Sequence, residues 1–311
     1  MIGRIPRCAE PWGQDNVTSR APPEMARANG IELCYDTFGD RHAPPLILIM
    51  GLGAQMIAWD EEFCTLLASR GYRVIRFDNR DIGLSTKFTE RGVPNVLAML
   101  TGQGGATAVP YTLRDMANDT VGLMDALGIM AAHVVGASMG GAIAQEMAIH
   151  HSGRLRTMTS IMSSTGEPGL PPPTAQAMEI LLAPTPTDRE AYFARYAQIW
   201  HVLRGPGFPL DEARDAERAA KIFDRGLNPP GAARQLAAIV ASGSRKDALR
   251  AVDVPTLVIH GDIDPLVPLA GGIATAKAVP GAKLVVIEGM GHALPISMWP
   301  QITEAIVSHA K

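Results

Sequence analysis

Six short apolar runs, each followed by a stretch with helical periodicity, set the fold class of this chain. They are "LILIM" (46–50), "RVIRF" (73–77), "AHVVGA" (132–137), "MTSIM" (158–162), "TLVIH" (256–260) and "KLVVIE" (283–288). A strand with one wet face alternates polar and apolar residues. A strand that is apolar throughout is buried on both faces, as in a parallel sheet between two helical layers. The amphipathic stretches 58–70, 112–127, 139–151 and 267–279 supply the helices. The class is therefore α/β, with a mostly parallel central sheet flanked by helices. "IELCYDTFGD" (31–40) alternates instead, as an antiparallel edge pair at the start of the sheet does.

The strand–helix alternation stops between residues 163 and 245. "GEPGLPPPT", "LAPTPTD" and "RGPGFPLDE" are dense in turn signals there, around helix-like pieces such as "DREAYFARYAQIWHVL" (188–203). "VDVPTLVIHGD" then resumes the strand pattern. The expected organisation is a core domain from 25–162 and 246–311, with a helical cap inserted at 163–245. A loose N-terminal tail at 1–24 holds four prolines and little periodicity.

At 311 residues, 47% hydrophobic and 19% charged, the chain is long and apolar enough for such a core. A net charge of −3 leaves no electrostatic footprint for nucleic acid. No apolar run approaches the ~18 residues of a membrane span. Cys8, Cys34 and Cys64 are odd in number and widely spaced, which argues against a disulfide framework or a zinc site. With no secretory h-region in the first 24 residues, a reducing, cytoplasmic location is expected.

Ser138 falls where "HVV" ends and "GGAIAQEMAI" begins, inside Gly136-Ala137-Ser138-Met139-Gly140. This is G-x-S-x-G between a strand and a helix, the nucleophile elbow. So tight a turn forces the serine into an unfavourable backbone conformation. Side chains two residues to either side would collide with the neighbouring strand and helix, hence the glycines. The hydroxyl then stands above the sheet at the positive end of a helix, and the Met139 N–H can face a developing oxyanion.

A serine is a weak nucleophile without a base that an acid holds in place. The expected chain order is serine, acid, histidine. His292 in "EGMGHALP" follows the last apolar strand, and Gly289 and Gly291 leave room for the loop to return over the sheet. His260 and His133 read as packed strand residues, His150 and His151 as the end of a helix, and His201 as a residue of the insertion. For the acid, "VIHGDIDPLVP" offers Asp262 and Asp264, which spacing alone does not separate. Asp264, restrained by Pro265, is preferred, with Asp262 in a turn role and Glu167 a remote third choice. The second oxyanion donor is expected in "GLGAQM", where Gly51 and Gly53 turn the chain sharply and Leu52 presents its N–H. Met56 occupies the third glycine position of a dinucleotide loop, so that reading fails. No cofactor or metal is implied. Gly51, Trp200 and Leu294 are expected at the substrate pocket, while most apolar cap residues are core at helical spacing.

In order, "MGLG", "FDNRDIGLS", "GASMGG" and "HGDIDPLVP…GMGH" resemble the α/β-hydrolase superfamily over roughly residues 25 to 310. Asp81 replaces the usual glycine of the D-x-R-G-x-G-x-S loop, and Met50 stands where a histidine is common. Both departures, with "GMGHALP", resemble the aclacinomycin methylesterase branch. The resemblance implies a cofactor-free Ser–His–Asp carboxylic ester hydrolase with a helical cap; an expected apolar pocket without a charged clamp points to a neutral, small to medium ester as the small-molecule substrate. Carbon–carbon bond hydrolases, lactonases and cofactor-free perhydrolases keep the same serine and stand as alternatives, with a non-catalytic binding protein behind them. An aspartate-elbow dehalogenase or epoxide hydrolase is disfavoured by Ser138. Exposed apolar cap helices would favour a homodimer.

Overall fold

The computed structural model describes residues 2–5, 20–101 and 109–311. The chain runs through β1 (Ile2–Ile5), β2 (Glu24–Ala28), β3 (Ile31–Phe38), β4 (Pro45–Ile49), α1 (Glu61–Ala68), β5 (Arg73–Phe77), α2 (Val96–Leu100) and α3 (Leu113–Ala126). It continues through β6 (Ala132–Ala137), α4 (Met139–His150) and β7 (Leu155–Ile161). The helices α5 (Ala175–Leu182), α6 (Arg189–Arg204), α7 (Glu212–Asp224), α8 (Pro229–Ser242) and α9 (Lys246–Leu249) then follow without a strand between them. Last come β8 (Thr256–Gly261), α10 (Leu269–Ala278), β9 (Lys283–Ile287) and α11 (Trp299–His309).

The nine strands form one sheet in the order β1-β9-β8-β7-β6-β4-β5-β3-β2. β3 pairs antiparallel with β2 and β5, and every other pairing is parallel. The continuous apolar runs have the cause read from sequence. Along β4, Ile47 and Ile49 join the cluster under α3 and α4, while Leu46 and Leu48 join the opposite cluster with Phe63 of α1 and Ile302 of α11. Local signals agree: Thr112 and Asp115 close a reciprocal capping box at the start of α3. Asp188 and Asp211 accept backbone N–H groups at the starts of α6 and α7.

The segment read as a loose tail is not wholly loose. Ile2–Ile5 form β1, in parallel register with β9 from Ile2↔Leu284 to Ile5↔Ile287. β9 would otherwise leave a row of backbone groups open, and a short extended segment satisfies them without any periodic sequence pattern. Arg20 makes a bridge to Phe38 and pairs with Asp36. Residues 6–19, Cys8 among them, lie outside the described residues. Cys34 and Cys64 are buried free thiols, and burial pushes the Cys64 thiol up to about 12. Among the described residues no helix is long and apolar enough to cross a membrane.

His133 on β6 is buried, bonded through Nδ1 to Thr157 Oγ1 at 2.9 Å and edge-on to Tyr72. Burial, then the nearby Arg156 and His309, lower its pKa to about 4. A histidine held neutral in the fold but protonated near 6.5 when unfolded costs stability as pH falls through that window, with no penalty above it. Of order 2 kcal/mol should be lost from this group between pH 7 and 4.5. Urea unfolding at both pH values checks this: His133→Asn should show a fall in stability smaller by about that amount.

Candidate active site

From β4 the chain moves to β5 on one side, then returns through α3 to β6 on the other side of β4. Such a reversal opens a crevice at the carboxyl ends of the two strands, where ligands of open α/β sheets bind. Ile49 of β4 pairs with Gly136 of β6, so the loop after β4 runs beside Ala137 and Ser138.

Ser138 has φ 55° and ψ −118°, a left-handed conformation that costs a non-glycine residue about 1–3 kcal/mol. Its surroundings hold it there. The Ser138 N–H donates to Ile161 O at 2.9 Å. A Cβ on Gly136 would overlap the Gly140 carbonyl, and one on Gly140 would overlap the Ile49 carbonyl. Gly141, beyond the motif, packs against Ser160 and Ser163. The glycines thus let strand, turn and helix approach closely enough to raise the serine hydroxyl.

His292 Nε2 lies 3.0 Å from Ser138 Oγ, and His292 Nδ1 lies 2.7 Å from Asp264 Oδ2. Asp264 and His292 are both buried. The acceptor-only carboxylate takes Nδ1–H, which leaves the Nε2 lone pair facing the Ser138 hydroxyl. Asp264 Oδ1 accepts the N–H groups of Leu266 and Val267 at 2.9 and 2.8 Å, which aims its second oxygen at the imidazole. Asp262 instead accepts the Gly289 N–H at 2.6 Å and ties the two loops together. Glu167 pairs with Lys246. His260 is fully buried beneath the acid loop, Nε2 donating to Val267 O at 2.7 Å, and burial lowers its pKa.

The histidine loop also leans on α6. The His292 N–H donates to Leu203 O at 2.6 Å, and Gly291 fits under the carbonyls of Leu203 and Arg204 with no room for a Cβ. Sequence reasoning missed this contact. Its one trace was the glycine pair flanking Met290.

Gly51 to Ala54 form a turn closed by Ala54 N–H to Gly51 O at 3.3 Å, with Gly53 at φ +68°. Gly51 is pressed against the serine: a Cβ there would lie 3.1 Å from Ser138 Cβ and 3.6 Å from Oγ. The backbone N–H groups of Leu52 and Met139 donate to no acceptor among the described residues. Met50 supplies no side-chain donor to the loop, but Asn79 Nδ2 donates to Met50 O at 2.9 Å from the neighbouring β5 loop. Asp78 accepts the N–H groups of Met56 and Leu84 and pairs with Arg225. These roles of Asp78, Asn79 and Arg225 were not foreseen, although "FDNRDIGLS" marked the loop.

Trp200 is half-buried in an aromatic cluster of α6 and α7, its ring 5.9 Å from that of Tyr196. Leu294 packs against the buried group that includes Met50, Met162 and Met290. His201 borders a cavity of about 430 Å³ with Phe193, Tyr196, Glu212 and Asp215. A base facing a strained serine, with an acid behind that base, is an arrangement that can support attack on a carbonyl carbon.

Residues 44–297 match the family model described as the alpha/beta hydrolase fold. The chain is 30% identical over 312 residues to rhodomycin D methylesterase DauP of Streptomyces sp. (strain C5), covering 93% of this chain and 98% of that protein. It is 28% identical over 284 residues to a non-heme haloperoxidase of Rhodococcus erythropolis, covering 88% of this chain and 93% of that protein. Among solved structures, the meta-cleavage product hydrolase CumD of Pseudomonas fluorescens IP01 matches with a TM-score of 0.71 at 21% identity. That match covers 92% of this chain and 96% of the other, a likeness of fold. The chain belongs to the α/β-hydrolase family and resembles its aclacinomycin methylesterase branch.

Proposed function

We propose that the protein is a serine carboxylic ester hydrolase that works through an acyl-enzyme on small to medium neutral esters. The observation that carries this reading is the hydrogen-bonded chain from Ser138 Oγ through His292 to Asp264, beside the free N–H groups of Leu52 and Met139. His292 takes the hydroxyl proton as Ser138 attacks the ester carbonyl. Asp264 holds the imidazole in the required tautomer and stabilises its charged form. The Leu52 and Met139 N–H groups receive the oxyanion, each such donor lowering the barrier by about 3 kcal/mol. His292 then protonates the leaving alcohol. Water, deprotonated by the same imidazole, releases the acid.

The insertion 163–245 serves as the cap over this site. The neutral substrate class is supported by the uncharged neighbours of Ser138, with Gly51 packed against it and Met139 next in the chain. Two relatives named as methylesterases, each 30% identical over most of the chain, favour an ester bond over other acyl chemistry. The haloperoxidase relative favours a second reading, in which hydrogen peroxide replaces water as the acyl acceptor on the same serine.

Turnover of p-nitrophenyl esters from acetyl to dodecanoyl, with and without added peroxide, tests both readings. Hydrolysis should be fastest among the short and medium acyl chains, with a peracid product only as a minor branch. A folded protein that cleaves none of the series would overturn the ester reading. Peracid as the main product would shift it to the second.

A further inference from the structure

Gln235 of α8 is fully buried, yet its amide touches the loop after β4. Its Oε1 accepts the Gly53 N–H at 2.9 Å, while Nε2 donates to Arg80 O at 2.8 Å. One partner is a donor and the other an acceptor, so the amide fits in one orientation only. The bond fixes the Leu52–Gly53 peptide. The preceding Gly51–Leu52 peptide is fixed by the turn bond from Ala54, and Met50–Gly51 by Asn79. Three successive peptide planes are thereby held, and the Leu52 N–H, which belongs to the middle one, has one direction in which to point.

The helix carrying Gln235 is itself seated on the same loops. Gly231 has no room for a Cβ against the Asp81 carbonyl, Asn228 Nδ2 donates to Asp81 O at 2.7 Å, and Ala232 Cβ lies 3.4 Å from where a Gly53 Cβ would stand. Arg234, next in chain, forms a two-pronged ion pair with Asp81 at 2.7 and 2.8 Å. A hydrogen-bond donor stabilises a transition state only when it is aimed in advance, because a loop that must reorganise spends that stabilisation on ordering itself.

We infer that Gln235 is a positioning residue: by clamping the Gly53 N–H from α8 it sets the direction of the Leu52 N–H, so this helix of the insertion is a fixed part of the reaction site. The inference rests on the reading of Leu52 as an oxyanion donor. It requires that loss of the clamp weaken binding of the tetrahedral species and leave ground-state binding intact.

The test compares Gln235→Met and Gln235→Glu with wild type and Ser138→Ala on p-nitrophenyl butyrate. Inhibition by a trifluoromethyl ketone, which mimics the tetrahedral intermediate, is measured alongside. Gln235→Met keeps the length and loses both bonds. It should lower kcat by about tenfold or more, leave KM within about threefold, and weaken the ketone by the same factor as kcat/KM. Ionised, the carboxylate of Gln235→Glu cannot both accept from Gly53 and donate to Arg80 O: repelled by that carbonyl, it withdraws from the Gly53 N–H. Protonated, it does both, so its activity relative to wild type should rise as pH falls. A Met variant with kcat and ketone affinity within about twofold of wild type would overturn the inference. So would a Glu variant whose relative activity is flat with pH, a reading that stands even if the Met variant does not fold. If Ser138→Ala remained active, the underlying serine reading would fail instead.

Discussion

Ser138→Ala is expected to lower kcat on p-nitrophenyl butyrate by about 10⁴- to 10⁶-fold while KM stays within about threefold. In the proposed mechanism the substitution removes the one atom that forms the acyl bond and takes nothing from the groups that bind the ground state. Alanine fits the cavity of serine, and the backbone at φ 55° is held by Ile161 O and the close approach of the two glycines, neither of which involves the hydroxyl. Circular dichroism and urea unfolding should therefore match wild type. The loss should also be non-additive. His292 Nε2 has its work defined by Ser138 Oγ 3.0 Å away, so Ser138→Ala with His292→Ala should be no worse than either single variant by more than a few fold. Two independent losses that multiplied would mean that the residues do not act as one unit.

Asp81→Ala carries the largest expected effect on stability, about 3–5 kcal/mol, read from urea unfolding. The carboxylate is fully buried and accepts from Arg234 twice, from the Tyr111 hydroxyl at 2.7 Å and from the Phe88 N–H at 2.8 Å. Burial alone would raise its pKa. Those four donors outweigh burial and hold it below the ordinary carboxylate range. Stability from this group is thus present above the unfolded pKa near 4 and is lost as pH falls through the lower folded value. Removing the carboxylate strands the Arg234 guanidinium, 1% exposed, with only the Gly92 carbonyl.

Asp81 also holds φ 70°, where a glycine is unstrained. Asp81→Gly should therefore cost about 1 kcal/mol less than Asp81→Ala, yet still destabilise. Adding Arg234→Met to Asp81→Gly removes the stranded charge, and the pair should be more stable than Asp81→Gly alone. A double variant less stable than both singles would mean that the ion pair is not what holds α8 on the β5 loop.

The elbow was legible because its glycines answer to backbone sterics, which a local motif records. His292 was legible from its place after the last strand. The choice between Asp262 and Asp264 was not, because the two leave the same strand end two residues apart. What separates them is the turn at Leu266 and Val267, whose N–H groups capture Asp264, while the Gly289 N–H captures Asp262. Gln235 could not be found at all. Its partner Gly53 is 182 residues away, and one side-chain bond to backbone leaves no period and no motif. β1 escaped for a related reason: four residues completing an open edge are too few for alternation to register.

The most direct test of covalent catalysis at Ser138 is acid-quenched rapid mixing of wild-type protein with p-nitrophenyl butyrate, followed by peptide mass mapping. The expected result is one butyryl group on the peptide bearing Ser138, formed in step with an initial burst of nitrophenolate. Turnover of the same ester with that peptide unmodified, or with the butyryl group on another residue, would contradict it.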